Sequence, residues 1–369
     1  MPQDRPNYGL SPHVDSTPIP APDLNYLPPR PRRYRPRIGL IGAGGITEYH
    51  LRAYRTLGLE VAVICDLDLA RARARRDEFY PEAEVCPDFH QVLARDDVEV
   101  IDAAVHPEHR VPIIEAAIGA GKHLLSQKPF VLDLDRGERI VAAAADRGVC
   151  LAVNQNGRWA PHFAYLREAV RTGLIGELGS VDFQLAFDHG WTVGTPFEEV
   201  PHLLLYDFGV HWFDLAACLL GEREVTSVFA AVARTDYQQA RPPFLASALL
   251  SSPGVQVRLT LNGAVIYDQS DVTLITGSRG TLRSHGPNLS QQQVTLTTAA
   301  GRASPELHGT WFDNGFQGAM GELLCAIEDG REPLHSARNN LRTLAVVYAA
   351  LHSANTGQPV RPGTVRAVP

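Results

Sequence analysis

Lysine is almost absent from this chain, so each lysine indicates a position with a special requirement. Of the 34 lysine and arginine residues, only Lys122 and Lys128 are lysine. A compact ammonium group can approach a single oxygen atom more closely than a planar guanidinium group can. Pro129 restricts the backbone before it to extended geometry, which helps to aim Lys128. This pattern predicts an ammonium group that stabilises a developing alkoxide, although a surface lysine at a strand end would leave the same pattern.

A second group of ionisable residues lies in the apolar segment 206–214. Asp207, His211 and Asp214 are spaced i, i+4 and i+7, which places them on one face of a helix. Ionisable groups among apolar neighbours are costly unless they are paired or functional. Histidine is suited to accept a hydroxyl proton, and Asp207 could orient the imidazole or contact a substrate. A satisfied core histidine is equally compatible with this spacing.

A glycine-rich turn links the first predicted strand to the first predicted helix. Gly42, Gly44 and Gly45, followed by Ile46, would let the backbone approach a pyrophosphate at the helix N-terminus. Asp66 ends the second predicted strand, where a carboxylate can bind both ribose hydroxyls and repel a 2′-phosphate. The pattern predicts a dinucleotide site that favours NAD(H) over NADP(H). The alternative is a glycine turn with a purely structural role.

Strands and helices alternate over residues 37–156, which predicts a doubly wound parallel sheet, an α/β Rossmann domain. Lys128 then follows a parallel strand at its carboxyl end, where open α/β sheets bind their ligands. The predicted strands are 38–41, 61–65, 98–105, 122–126 and 150–153, and the predicted helices are 46–57, 69–79, 108–120 and 133–147.

In residues 157–369 several strands with period-two alternation follow one another, with helices before and after them. This pattern predicts an α+β domain with a large, mostly antiparallel open sheet and helices on one face. The other face must be covered or must associate, so we expect a homodimer or homotetramer. Residues 1–36 contain ten prolines and should run extended, as a tail or as an arm on a neighbouring surface. The predicted strands are 179–188, 225–233, 246–251, 255–261, 272–276 and 294–298, and the predicted helices are 162–172, 202–220, 316–328 and 338–355.

Polar residues near the predicted strand ends complete the candidate site. His106 and Gln127 are candidates for the cofactor side, together with Lys128, although His106 could equally serve the entry of a helix. His189 and Trp191 could offer a sugar a polar edge and a stacking face. The predicted substrate residues are Asn156, Arg158, His189, Trp191 and His202, of which His202 could simply cap its helix.

Composition excludes several classes of function. A formal net charge of −7 argues against a nucleic-acid partner. No apolar run is long enough to span a bilayer and the N-terminus has no apolar signal region, so we expect a cytoplasmic protein without a membrane anchor. The five cysteines show no metal-ligand or CxxC spacing, which predicts reduced thiols and no metal site.

Taken together, these motifs resemble the Gfo/Idh/MocA family, which includes glucose-fructose oxidoreductase and inositol dehydrogenase. The resemblance extends over nearly all of residues 37–362. Each motif alone is weak, but their occurrence together in one chain makes the resemblance specific. The shared pieces, in family order, are the glycine loop, AGKH at 120–123, Lys128-Pro129, DxGxHxxD at 207–214, GFxxAM at 315–320 and GREP at 330–333.

The resemblance implies an NAD(H)-dependent oxidoreductase that acts on a CH–OH group of a sugar, inositol or related polyol. It assigns Lys128, Asp207 and His211 to the reacting hydroxyl. Family members usually carry glutamate where this chain has Gln127, so Lys128 would hold its proton less firmly, and usually carry Thr-Pro where it has His106-Pro107. Two alternatives stay open, an NAD-dependent glycosidase of the same family and a catalytically silent NAD-binding sensor or repressor. A proline-rich arm embraces the neighbouring subunit in glucose-fructose oxidoreductase, which implies a similar arm exchange here.

Overall fold

Six parallel strands form the first sheet in the computed structural model, which describes residues 17–369. The strand order is β3-β2-β1-β4-β5-β6, so the chain direction across the sheet reverses between β1 and β4. This confirms the predicted Rossmann fold, and the reversal creates the crevice where such sheets bind ligands. The strands are β1 Arg37–Ile41, β2 Glu60–Cys65, β3 Glu84–Cys86, β4 Val100–Ala103, β5 His123–Ser126 and β6 Leu151–Val153.

Five helices connect these strands, and the polar residue before three of them caps the first turn. Asp68, Asp88 and Asp133 each accept a hydrogen bond from a backbone N–H in the first turn of the following helix. Sequence analysis did not predict β3 and α3, because segments of three and five residues are too short to show periodicity. The helices are α1 Thr47–Leu57, α2 Leu69–Phe79, α3 Phe89–Leu93, α4 Pro107–Gly119 and α5 Leu134–Asp146.

The second sheet has eight strands in the order β14-β13-β12-β11-β7-β10-β9-β8, and all pairs except β7 with β10 are antiparallel. This confirms the predicted α+β architecture. Strands β12 and β14 were not predicted. In β12 the only buried aliphatic side chain is that of Leu282, so the sequence shows no apolar alternation there. The strands are β7 Leu178–Ala186, β8 Ser227–Ala233, β9 Leu245–Ser252, β10 Val255–Asn262, β11 Ser270–Gly277, β12 Gly280–Gly286, β13 Gln293–Thr298 and β14 Gly301–Ala303.

Helices of the second half of the chain are α6 Pro161–Arg171, α7 Val210–Leu220, α8 Trp311–Asp329 and α9 Ala337–Thr356. The inner face of the large sheet packs on apolar residues of this layer, as Phe163 of α6 does on Phe183 of β7. The opposite face carries exposed side chains such as Phe229 and Arg258. Association through that face stays a prediction.

Helix α8 lies in space with the first domain, although its sequence belongs to the second. Phe316 and Met320 share a buried cluster with Ile38 and Leu40 of β1. Phe312 stacks on Tyr49 of α1 with ring centroids 4.4 Å apart. The predicted boundary at 156/157 lies between the last strand of the parallel sheet and the first strand of the large sheet. Helix α8, which comes later in the sequence, nevertheless packs on the parallel sheet. None of the helices among residues 17–369 is long and apolar enough to span a bilayer.

The described part of the proline-rich arm lies against its own chain. Arg302 of β14 accepts a backbone hydrogen bond from the N–H of Ile19 and donates one to the carbonyl of Thr17, so the arm covers the edge of the large sheet. Tyr165 donates to the carbonyl of Pro22 at 3.0 Å, and the N–H of Arg32 donates to Glu328 of α8 at 2.7 Å. Residues 17–36 thus contact both domains of their own chain. The predicted arm exchange stays a prediction, and residues 1–16 lie outside the described residues.

A buried carboxyl group in β11 leads to a prediction about stability. Asp271 is 1% exposed, its Oδ2 has no hydrogen-bond partner among the described residues, and burial raises its pKa to about 7. Ionisation is penalised in the folded state only, so the free energy of unfolding falls as pH rises from about 4 to about 7. We expect the stability of Asp271→Asn relative to wild type to rise over this range by at most about 4 kcal/mol. Urea denaturation at pH 4, 6 and 8 measures it, and a pH-independent difference would contradict it.

Candidate active site

The glycine loop after β1 combines one tight position with two open ones. Gly42 has φ +99°, and a Cβ atom there would lie 2.7 Å from the carbonyl oxygen of Ala104, so no other residue fits without strain. A Cβ atom at Gly44 or Gly45 would meet nothing within 4 Å. Ile46 is 36% exposed and leads directly into α1. The open backbone beside a helix N-terminus fits a pyrophosphate group.

Asp66 lies next to this loop at the end of β2. Its Oδ2 accepts a hydrogen bond from the N–H of Ala43 at 2.8 Å, and its Oδ1 accepts one from the N–H of Asp68 at 2.8 Å. The carboxylate is thereby fixed beside the glycine loop, where a ribose would bind. Leu67 follows it and is 92% exposed. An exposed leucine beside a fixed carboxylate suits an adenine ring above a ribose.

The structure brings Lys128 and Asp207 together from the two domains. Lys128 Nζ lies 3.2 Å from Asp207 Oδ1 and donates a hydrogen bond to the carbonyl oxygen of Asp207 at 2.7 Å. Both side chains are mostly buried, with exposed fractions of 17% and 20%. The Lys128–Pro129 peptide bond is cis. Two acceptors on one residue hold the ammonium group in place and leave it a third hydrogen to donate.

His211 lies four residues after Asp207, at the start of α7. Its ring packs edge-on against Trp311, with centroids 5.7 Å apart, and its Nδ1 has no hydrogen-bond partner among the described residues. Burial, followed by the positive charge of Lys128, lowers the pKa of His211 well below its usual range. The imidazole is therefore neutral at neutral pH, as an acceptor for a proton must be.

The prediction that Asp207, His211 and Asp214 share one face of a regular helix was wrong for Asp207, which lies before the regular helix, whereas His211 and Asp214 both lie within α7. The helix predicted over 202–220 begins as a wider π-helical turn, Leu204–Phe208, and the regular helix α7 starts only at Val210. The extra residue in that turn rotates Asp207 relative to α7. Asp214 instead forms a buried ion pair with Arg158, at 2.6 Å from both of its oxygens.

Arg158 was expected to line the substrate cleft, and the structure places it elsewhere. Its side chain is 3% exposed, and beyond Asp214 it donates to the carbonyl of Leu334 and to Asn339. These contacts occupy its guanidinium group inside the protein. We therefore attribute the position of Arg158 to packing between the 3₁₀ helix Asn156–Trp159 and α7 rather than to substrate binding.

The remaining predicted residues occupy different surroundings. His189 packs on Phe208, the neighbour of Asp207, with centroids 4.6 Å apart, and Trp191 lies 6.0 Å from the same ring with 56% of its surface exposed. Asn156 is buried and lies against α8. His202 pairs with Asn355 at 2.7 Å, and His106 is an exposed residue before α4 that makes no side-chain cap.

Sequence reasoning missed Arg110, which is 1% exposed in α4. Its guanidinium group donates to the carbonyls of Val105, Gln127 and Pro129, and so clamps the chain on both sides of Lys128. Burial lowers the pKa of Arg110 to about 9. An arginine among the apolar residues of a helix was the available signal, because such a charge must have partners.

Comparison with protein families gives two matches that together cover most of the chain. Residues 36–155 match the model described as the oxidoreductase family, NAD-binding Rossmann fold, and residues 163–283 match the GFO/IDH/MocA C-terminal domain. D-apiose dehydrogenase of Paraburkholderia graminis is 31% identical over 344 residues, covering 87% of this chain and 88% of the relative. Inositol 2-dehydrogenase of Rhizobium meliloti is 24% identical and covers 86% and 96%.

Solved structures share the fold of the whole molecule. An oxidoreductase from Agrobacterium radiobacter, in complex with NAD+, L-tartaric acid and magnesium, superimposes with a TM-score of 0.80 at 23% identity, covering 89% of this chain and 99% of that one. Levoglucosan dehydrogenase, in complex with NADH and levoglucosan, gives a TM-score of 0.77 at 19% identity, covering 90% and 100%. At these identities the likeness shows the fold alone.

Proposed function

The chain belongs to the Gfo/Idh/MocA family of NAD-binding oxidoreductases, and we propose that it is an NAD(H)-dependent dehydrogenase that acts on a CH–OH group of a sugar or related polyol. The observation that carries this proposal is the contact between Lys128 and Asp207 across the domain crevice. It holds the ammonium group in the crevice that begins with the glycine loop, close enough to His211 for its charge to lower the pKa of that imidazole. Relatives with the names D-apiose dehydrogenase and inositol 2-dehydrogenase support the substrate class.

Each residue of the site has one task in the proposed reaction. The substrate hydroxyl binds between Lys128 and His211, where the neutral His211 accepts its proton. Lys128 donates a hydrogen bond to the same oxygen and stabilises the negative charge that develops on it. Asp207 keeps the ammonium group aimed through the two contacts described above. NAD+ bound at the glycine loop supplies the acceptor for the hydride that the carbon loses.

Asp66 is proposed to make the site selective for NAD(H). Replacing Asp66 with serine removes the charge that repels a 2′-phosphate, so we expect the preference for NAD+ over NADP+ in kcat/KM to fall about tenfold, equivalent to ~1.4 kcal/mol. Asp68→Asn is the control, because it removes the same charge from a residue whose carboxylate caps α2. An unchanged cofactor ratio in Asp66→Ser would contradict the assignment.

Trp191 is proposed to provide a stacking face for the substrate. Its ring lies beside Phe208 and Phe197 at edge-on angles of 72° and 83°, and more than half of its surface is exposed. We expect Trp191→Ala to raise KM for the sugar about three- to tenfold with little change in kcat, because the lost contact is the same before and during reaction. Phe229→Ala, on the outer face of the large sheet, is the control. A change in kcat alone would argue against a binding role.

A screen for NAD+ reduction tests the function directly. The panel contains inositols, aldoses including apiose, anhydrosugars and their glycosides, and NADH formation is followed by absorbance. Turnover of one class that disappears in Lys128→Ala supports the proposal. Cleavage of a glycoside without net NADH would identify a glycosidase instead. Tight NAD binding without turnover of any compound would identify a sensor.

A further inference from the structure

A buried hydrogen-bond network connects the core of the parallel sheet to the loop after β5 that carries Lys128. It consists of His50 and Tyr54 of α1, Asp102 of β4, Gln127 and Asn154, which we call the His50 network. All five residues are buried. His50 Nδ1 lies 2.7 Å from Asp102 Oδ2, and the hydroxyl of Tyr54 donates to the same oxygen at 2.6 Å.

The other side of the imidazole faces two amide groups. His50 Nε2 lies 3.0 Å from Gln127 Nε2 and 3.3 Å from Asn154 Nδ2. The remaining polar atom of Gln127, Oε1, accepts a hydrogen bond from the backbone N–H of Lys128 at 2.7 Å. The network thus ends on the residue that carries the ammonium group of the proposed active site.

The directions of the hydrogen bonds that Gln127 makes follow from chemistry. The N–H of Lys128 can only donate, so the atom of Gln127 that faces it must be the oxygen, and the amide nitrogen must face His50. An amide nitrogen also only donates, so His50 Nε2 must carry a lone pair and the proton of the ring must be on Nδ1, pointing at Asp102. Burial and Asp102 raise the pKa of Tyr54 well above its usual range, so its hydroxyl stays a donor.

We infer that Gln127 holds His50 in the neutral Nδ1–H form, and that the His50 network is a positioning device for Lys128. A glutamate at position 127 could accept from Lys128 N–H but would offer His50 only an acceptor. His50 would then need a second proton and become an imidazolium ion between two carboxylates. The glutamine therefore keeps the network uncharged on this side.

The groups that face His50 are consistent with the neutral Nδ1–H form. Asp102 on β4 presents a carboxyl group and Tyr54 on α1 a hydroxyl group, while Gln127 and Asn154 present amides. From α8 the ring of Phe316 packs on the imidazole with centroids 4.6 Å apart. Arg110 holds the carbonyls of Gln127 and Pro129 from the other side. The loop that carries Lys128 is thus fixed by the network at one end and by Arg110 along its length.

Nitrogen NMR of protein labelled with ¹⁵N-histidine tests the inference without requiring turnover. In wild type we expect His50 Nδ1 protonated and Nε2 unprotonated at pH 7.5. In Gln127→Glu we expect the Nε2 resonance to move to the protonated region. Tyr54→Phe is the matched control, because it removes a donor to Asp102 without touching Nε2, so the tautomer should persist. A protonated Nε2 in wild type, or an unchanged resonance in Gln127→Glu, overturns the inference.

Kinetics test the positioning role, which rests on the proposed function. The kcat of Gln127→Glu should acquire an ionisation that wild type lacks, while KM for the sugar stays within about threefold, because the ammonium group acts on the reacting oxygen rather than in binding. Equal pH profiles of kcat for the two proteins would overturn the positioning role. Failure of the proposed function itself would appear differently, as absence of turnover in wild type with the NMR result intact.

Discussion

Lys128→Ala is expected to lower kcat about 10²- to 10³-fold, the range observed when one group that stabilises an oxyanion is removed. His211→Ala should lower kcat by about 10²-fold or more, as expected for loss of a general base. The affinity for NAD should change little in His211→Ala, because that residue comes from the second domain. Steady-state kinetics with the substrate from the screen and NAD titration by fluorescence measure the two quantities.

The chain provides its own control for the lysine. Lys122, the other lysine, directly precedes β5 and lies at the opposite end of that strand from Lys128. Its ammonium group donates to the carbonyls of Arg95 and Val98, which precede β4. Lys122→Ala should lower the stability of the fold but leave kcat near that of wild type. Near-normal turnover in both Lys128→Ala and His211→Ala would refute the proposed site. Equal losses in Lys122→Ala and Lys128→Ala would point to instability as the cause.

The pH dependence of kcat/KM in a second variant of Lys128 provides a further test of His211. Lys128 lowers the pKa of His211 by its charge, in addition to the effect of burial. Removing that charge in Lys128→Met should raise the pKa of His211 toward its usual range. The acid limb of kcat/KM marks the pH below which the base is protonated, so it should move to higher pH in this variant. An acid limb that stays in place would show that His211 is not the group that titrates.

The sequence could predict those features of the molecule that depend on residues close together in the chain. The glycine loop, Asp66 and the alternation of strands and helices depend on neighbours in sequence, and all lie where they were expected. Lys128 at a carboxyl strand end and Asp207 on an apolar segment were placed by the same rules. The distance of 3.2 Å between Lys128 Nζ and Asp207 Oδ1 agrees with these two local predictions, because ligands bind in the crevice at the carboxyl ends of the strands in such sheets.

Features that depend on distant partners could not be read in this way. The position of Asp207 relative to His211 and Asp214 was derived from a regular helix of 3.6 residues per turn, and one π-helical turn before α7 was enough to displace Asp207 from that register. Arg110 and His50 act on segments that are 17 and 77 residues away in sequence. A single sequence shows the cost of burying such groups but does not show which partner compensates it.

The ion pair between Arg158 and Asp214 should have the largest effect on stability. Both side chains are almost fully buried, with 3% and 1% exposed, and Asp214 also accepts from Thr343 at 3.1 Å. Asp214→Ala would leave the guanidinium group buried without its carboxylate, so we expect the free energy of unfolding to fall by about 3–5 kcal/mol. Urea denaturation measures this change. Glu224→Ala, which breaks the exposed pair with Arg361, should cost less than about 1 kcal/mol.

A double substitution separates a structural pair from a catalytic one. Arg158→Met with Asp214→Leu removes both charges and keeps much of the volume, so it should be more stable than Asp214→Ala alone, because no buried charge is left unpaired. If the pair is structural, the double variant should also keep most of its kcat, since Lys128, Asp207 and His211 are untouched. If Asp214 takes part in catalysis, kcat should fall even when the fold is stable. Measuring stability and kcat on the same three proteins therefore decides which role the geometry of this ion pair serves.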